Sequence, residues 1–147
     1  MKRTLMIGKS GCGKTTLALK LAKSALSGHK TQSIELIGDC IDTPGEYLER
    51  KPFFKALTVT AMDCDCVLIL LDATDAQISI PPLIAGIFGR PVLGAVTKID
   101  LVADERIIDD AEDNLRMSGA NPIFRISSLT GEGLDELREY LSEPLAQ

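Results

Sequence analysis

The sequence has little with which to chelate a soft metal, adhere to nucleic acid or cross a membrane. It holds a single histidine, His29, and four cysteines, Cys12, Cys40, Cys64 and Cys66, which neither form C-x-x-C pairs nor cluster with that histidine. A zinc site is therefore not expected, and the cysteines read as reduced thiols of a cytosolic protein. Basic residues are in the minority: 16 lysines and arginines stand against 21 aspartates and glutamates, a net charge of −5 that argues against bulk affinity for nucleic acid. No apolar run approaches the roughly 20 residues of a membrane helix. The opening Met1-Lys2-Arg3 leads into a strand rather than an apolar leader. Repeats, low-complexity tracts and linkers are also missing. These absences lead to the expectation of one domain over residues 1–147, cytoplasmic, with neither nucleic acid nor membrane as a partner. A chain of this length buries roughly 70% of its unfolded surface and needs no disulfide or metal to hold its core.

What is present is an alternation of short apolar runs with longer amphipathic ones, the pattern of a mostly parallel sheet covered by helices on both faces. Residues 4–7 form the first strand. Leu17, Ala18, Leu21, Ala22 and Ala25 recur at helical spacing, with Gly28 as a stop. Residues 33–37 and 40–42 flank Gly38-Asp39 and predict two antiparallel strands joined by a tight turn. Residues 67–71 and 92–96 are continuous apolar runs suited to strands buried on both faces, and 122–126 make a shorter last strand. Asp104 caps a helix whose Ile107, Ile108, Ala111 and Leu115 form one face and which Gly119 ends; Leu134, Leu137 and Leu141 mark a C-terminal helix. Between Asp72 and Gly89, Pro81-Pro82 permit only a short helix. The expected fold is α/β, a three-layer sandwich around a mostly parallel sheet of six strands.

Between the first strand and the first helix lies Gly8-Lys9-Ser10-Gly11-Cys12-Gly13-Lys14-Thr15, followed by Thr16. This is a complete nucleotide-triphosphate P-loop in its confirming context. Its glycines let successive amides converge on phosphates at the positive end of the helix, Lys14 reaches the β and γ phosphates, and the Thr15 hydroxyl binds Mg2+. Cys12 lies inside the loop near a helix N-terminus, a setting that lowers a thiol pKa. It reads either as a redox-sensitive thiol or as a small residue where only backbone contacts matter.

Four further elements, which follow the P-loop along the chain in that family's order, resemble those of small GTPases. Asp42-Thr43-Pro44-Gly45 is similar to the D-x-x-G element, in which the aspartate reaches Mg2+ and the glycine amide senses the γ phosphate. Thr31 matches the switch threonine that completes the metal shell; it is otherwise an exposed loop threonine. Thr97-Lys98-Ile99-Asp100 resembles the guanine-reading N-K-x-D element, with threonine for asparagine. Guanine presents two NH donors on one edge, which the Asp100 carboxylate accepts together, while adenine pairs one amino group with an acceptor nitrogen. GTP or GDP is therefore expected over ATP, with the Lys98 stem along the base. Asp100 also reads more simply as a helix-capping residue. Ser127-Ser128-Leu129 resembles the last base-contacting S-A-x element.

Two stretches carry a narrower resemblance: Lys30-Thr31-Gln32-Ser33-Ile34-Glu35 and Ile41-Asp42-Thr43-Pro44-Gly45-Glu46-Tyr47-Leu48-Glu49. Together with Ala56-Leu57-Thr58-Val59-Thr60-Ala61 and Cys64-Asp65-Cys66-Val67, they are similar to the bacterial family of ethanolamine-utilisation protein P and propanediol-utilisation protein V. That resemblance implies a Ras-like P-loop fold and a setting among metabolic microcompartments. It implies a GTPase-like accessory factor in one branch and an ATP-dependent phosphotransferase of acetate kinase type in the other. The residues expected to serve catalysis are Lys14, Thr31, Gly45 and Glu46, with Thr15, Thr31 and Asp42 on Mg2+. Glu46 stands where many small GTPases place the glutamine that orients the attacking water. An ionised carboxylate there repels the γ phosphate, so slow turnover is expected, and Glu46 reads equally as a residue that points to solvent and takes no part. Residues 47–54, with Glu49, Arg50, Lys51, Phe53 and Phe54, follow the sensing glycine and, with Thr31, form the expected surface for a shell or enzyme partner; Phe53, Phe54 and Leu57 read equally as the anchor of the next helix.

Overall fold

The structure is a computed structural model and describes residues 2–9, 11–22, 35–37, 40–43, 54–75 and 80–143. Its strands are β1 (Thr4–Ile7), β2 (Glu35–Ile37), β3 (Cys40–Asp42), β4 (Cys66–Asp72), β5 (Val92–Thr97) and β6 (Ile123–Arg125). Its α-helices are α1 (Lys14–Leu21), α2 (Phe54–Ala61), α3 (Glu105–Ser118) and α4 (Leu134–Ser142). Short 3-10 turns cover Ile84–Ile87, after the two prolines, and Ile99–Leu101.

The strands lie in the order β2-β3-β1-β4-β5-β6. Five run parallel and β2 alone is antiparallel, to β3, as the sequence on either side of Gly38-Asp39 predicts. Side chains alternate across each strand, and that period of two divides the core. Leu5, Ile7, Val67, Ile69 and Val96 face one layer with Leu57 of α2 and Ile108 and Leu115 of α3. Met6, Leu68, Leu70, Leu93 and Ala95 face the other with Leu17 and Leu21 of α1 and Leu137 and Leu141 of α4. The sheet is apolar on both sides for this reason, and the expected three layers follow.

Helix boundaries follow local chemistry. Asp104 caps α3 by accepting from the Arg106 amide at 3.0 Å, and Gly119 ends it at φ 99°. Ile107 departs from expectation: it is 38% exposed, so the buried face runs through Ile108 and Leu115 instead. Helix α1 begins at Lys14, while Ala25 and Gly28, where its continuation was expected, lie outside the described residues. β6 is tied to α3 by Arg125, which meets Glu105 at 2.8 Å and Asp109 and Glu112 at 2.5 Å each. The Arg125 guanidinium holds the Glu112 carboxyl below its usual range.

Gly133, ahead of α4, has φ 76°, and a Cβ there would lie 2.1 Å from the Arg125 carbonyl oxygen. Gly133→Ala should therefore cost about 2 kcal/mol or more of stability, through a strained backbone and a clash that only main-chain movement relieves. Thermal unfolding measures this, with an expected fall of several degrees.

Candidate nucleotide-binding site

β1 sits at the centre of the sheet, between β3 on one side and β4 on the other. The helices that follow β1 and β3, α1 and α2, pack on opposite faces of the sheet, which opens a crevice beyond the carboxyl ends of the strands. The loop after β1 fills that crevice. Gly8 lets it pass close over β4: a Cβ there would stand 2.7 Å from the Cys12 sulfur and 2.9 Å from the Leu70 carbonyl oxygen. Gly11 and Gly13 turn the loop at φ 85° and 100°, conformations glycine adopts without steric cost. The Cys12 amide donates to the Lys9 carbonyl at 3.1 Å. Lys14 folds back into the hollow, its Nζ donating to the carbonyl oxygens of Gly8 at 2.8 Å and Lys9 at 3.3 Å. Ser10 lies outside the described residues.

Cys12 is 1% exposed, and burial pushes its thiol up despite the nearby Lys14 ammonium. The lowering that such a loop can produce is not found here, because desolvation of a thiolate outweighs one cation. Cys12 is buried in the apolar cluster that also holds Met6, Leu17 and Leu70.

Thr15, on the first turn of α1, donates its hydroxyl to Oδ2 of Asp42, the fully buried last residue of β3. The neighbouring Thr43 donates to the Met6 carbonyl at 2.8 Å, which locks the end of β3 to β1. A hydroxyl beside one carboxylate is a hard-oxygen pair that suits Mg2+, an ion that takes most of its remaining ligands from phosphate and water. Among the described residues no group of three or more His, Cys, Asp or Glu comes together to hold a metal. Thr31, Gly45 and Glu46, and residues 47–53 of the expected partner surface, lie outside the described residues. Phe54 opens α2 and packs against the core, with Leu57 fully buried one turn on.

An open cleft of about 280 Å³ runs from the loop to the β5 end of the sheet, past Gly13 and Thr16 to Lys98, Asp100, Leu101 and Ser128. Asp100 sits in the turn after β5, its Oδ1 accepting from the Ser127 hydroxyl at 2.7 Å. Ser127 is fully buried and its hydroxyl accepts in turn from the Thr130 amide at 3.0 Å. Ser127 thus orients Asp100 rather than lining the cleft, while Leu129 stands on the rim, 82% exposed. Thr97 is buried and aims its hydroxyl at the Cys12 carbonyl, 2.8 Å away. Its side chain ties β5 to the loop. Lys98, at φ 60°, donates to the Gly11 carbonyl at 2.6 Å and meets Asp72 at 2.8 Å.

Two residues escape the sequence motifs. Lys20 lines the cleft, signalled only by lying one turn beyond Thr16 on the same helix. Asp72 ends the buried strand β4 at the same edge of the sheet, and a carboxylate closing an apolar run was its only signal.

Residues 1–143 match the family model described as ethanolamine utilisation - propanediol utilisation, PduV-EutP. The chain belongs to the PduV-EutP family. Within that family it is 39% identical to the propanediol utilization protein PduV of Citrobacter freundii, over 97% of this chain and 94% of that one. It is 31% identical to the Escherichia coli K12 protein named "Probable acetate kinase EutP", over 97% of this chain and 90% of that one. Among solved structures it resembles Aquifex aeolicus Era, a variant bound to GDP and AlF4-, with a TM-score of 0.68 and 21% identity. That match covers 99% of this chain and 57% of the Era chain. The fold of this PduV-EutP member is therefore that of the Ras-like P-loop GTPases. Among its described residues no helix is long and apolar enough to cross a membrane.

Proposed function

We propose that this PduV-EutP protein binds a guanine nucleotide with Mg2+, hydrolyses GTP slowly, and acts as a nucleotide-dependent accessory factor in ethanolamine or 1,2-propanediol utilisation. The observation that carries this reading is the Asp100 carboxylate, fixed by buried Ser127, at one end of a cleft whose other end is the P-loop. A phosphate cradle alone fits any nucleotide. A carboxylate held across the cleft from it favours the base with two adjacent NH donors.

In this reading the loop amides and Lys14 hold the phosphates, with the ammonium exchanging the Gly8 and Lys9 carbonyls for phosphate oxygens. Thr15 and Asp42 hold Mg2+. The ion, when bound, supplies neutralisation of the charge on the β and γ phosphates. Thr31 and Gly45 report on the γ phosphate, Thr97 and Lys98 keep the loop and base wall in register, and Ser128 and Leu129 edge the base. Glu46 sets the rate. Glu46→Gln should raise single-turnover GTP hydrolysis about tenfold, a barrier change of about 1.4 kcal/mol, because an amide donates to the γ phosphate where a carboxylate repels it. An unchanged rate in rapid-quench measurement removes Glu46 from the mechanism. Residues 47–54 and Thr31 are the proposed contact for a microcompartment shell protein or enzyme.

Titration of the nucleotide-free protein with GTP and with ATP, each with Mg2+, tests the base preference. GTP should bind at least about tenfold more tightly, and equal affinities would sink the guanine reading. The name of the Escherichia coli relative favours a second reading, phosphoryl transfer to acetate. Acetyl phosphate formed from ATP and acetate by the unaltered protein, and not by Lys14→Ala, would establish it.

A further inference from the structure

Asp72 closes β4 between the strand that feeds the P-loop and the strand that carries Thr97, and its side chain is 9% exposed. A carboxylate at that depth stays charged only where donors replace the water it has lost. Three donors do so. The Thr74 amide and hydroxyl reach Oδ1 at 2.8 and 2.6 Å, and the Lys98 ammonium lies 2.8 Å from Oδ2. Burial pushes the Asp72 carboxyl up, but the hydrogen bonds from Lys98 and Thr74 outweigh it and hold the group below its usual range.

The other end of this arrangement is the cleft. Lys98 lines it and Asp72 does not. A free lysine side chain spreads over many rotamers, and ordering it costs up to about 2 kcal/mol. Here the ammonium is pinned between two acceptors on different elements, Asp72 of β4 and the Gly11 carbonyl of the loop. Its four-carbon stem is left as a fixed apolar wall leading toward Asp100.

We propose that Asp72 is a positioning residue for the nucleotide base: it fixes the Lys98 ammonium against Gly11 and so presents the Lys98 stem as the surface on which the base lies. This rests on the guanine-nucleotide reading above. Asp72 itself touches no ligand and acts only through Lys98, which makes its effect separable from that of the phosphate cradle. Losing Asp72 lets Lys98 disorder and weakens base contacts, while pyrophosphate, which has no base, is held as before.

The test measures GDP and pyrophosphate affinity by calorimetry for the unaltered protein, Asp72→Asn, Lys98→Ala and the double variant. Asp72→Asn should weaken GDP about tenfold and pyrophosphate less than twofold, and the double variant should bind GDP no worse than Lys98→Ala. Additive losses for the two substitutions, or equal losses for GDP and pyrophosphate, overturn the positioning role. GDP binding unchanged within twofold in Asp72→Asn overturns it as well and leaves the nucleotide reading standing. Failure of the unaltered protein to bind GDP overturns that reading and the positioning role with it. Should Asp72→Asn not fold, Thr74→Val, which removes the hydroxyl that orients Asp72, decides the matter. A threefold loss confined to GDP supports the role, and no loss overturns it.

Discussion

Lys14→Ala should all but remove nucleotide binding, with Kd for GDP rising roughly 30- to 5,000-fold. Lys14 is 6% exposed and its ammonium sits inside the loop, held by the Gly8 and Lys9 carbonyls. Phosphate oxygens entering that hollow meet a cation already stripped of water. Truncating one partner of such a buried charge pair costs about 2–5 kcal/mol, which is the stated range of affinity. Calorimetric titration with GDP and with pyrophosphate reads it directly, and both ligands should be affected alike because neither contact involves the base. Retention of pyrophosphate affinity within about threefold would mean that phosphates bind elsewhere. The ligand-free protein should also lose stability, by about 1–3 kcal/mol, since two loop carbonyls lose a charged donor.

Asp100→Asn should exchange the base preference rather than abolish binding. Guanine would place two NH donors against the Asp100 carboxylate. An asparagine accepts one of them and sets its own NH2 against the other. Leaving a donor unpaired and losing a charge-assisted bond costs about 3 kcal/mol, so GTP affinity should fall about 100-fold. Xanthine carries an oxygen in place of guanine's amino group, and the new amide donates to it. Ser127 makes this swap clean: its hydroxyl donates to Oδ1 at 2.7 Å, and an asparagine keeps that bond through its own oxygen, so the NH2 is left toward the base. Competition between GTP and XTP for the variant is the measurement. Unaltered GTP affinity would return Asp100 to the role of a turn-capping residue.

Much of the framework was legible because it is written in short, periodic segments. β4 and β5 are built on the continuous apolar runs 67–71 and 92–96, and α3 carries its start in Asp104 and its stop in Gly119, both local signals. The candidate site was legible where its chemistry is contiguous, as in the P-loop. It was less so where a residue's identity suggested one partner and its environment supplied another. Thr97 occupies the place of a base-reading asparagine, yet its hydroxyl goes to the Cys12 carbonyl. Ser127, matched to a base-contacting element, holds Asp100. Cys12, beside a lysine and a helix N-terminus, keeps its proton because burial outweighs both. Ile107 fits the apolar spacing of α3 but falls on its exposed side, since a spacing rule does not say where the neighbouring sheet ends.

The sequence by itself determined a glycine-rich loop between a buried strand and a helix, because amide direction, glycine φ and helix polarity are properties of consecutive residues. Only the tertiary structure decided which distant side chains complete that loop. Thr15 with Asp42 and Asp100 with Ser127 each join residues 27 apart, and Thr97 reaches Cys12 across 85. Parallel strands deliver their carboxyl ends to one edge of the sheet whatever the length of chain between them. That delivery, and the depth at which it buries Asp72 beside Lys98, depends on strand order, which no local pattern of residues encodes.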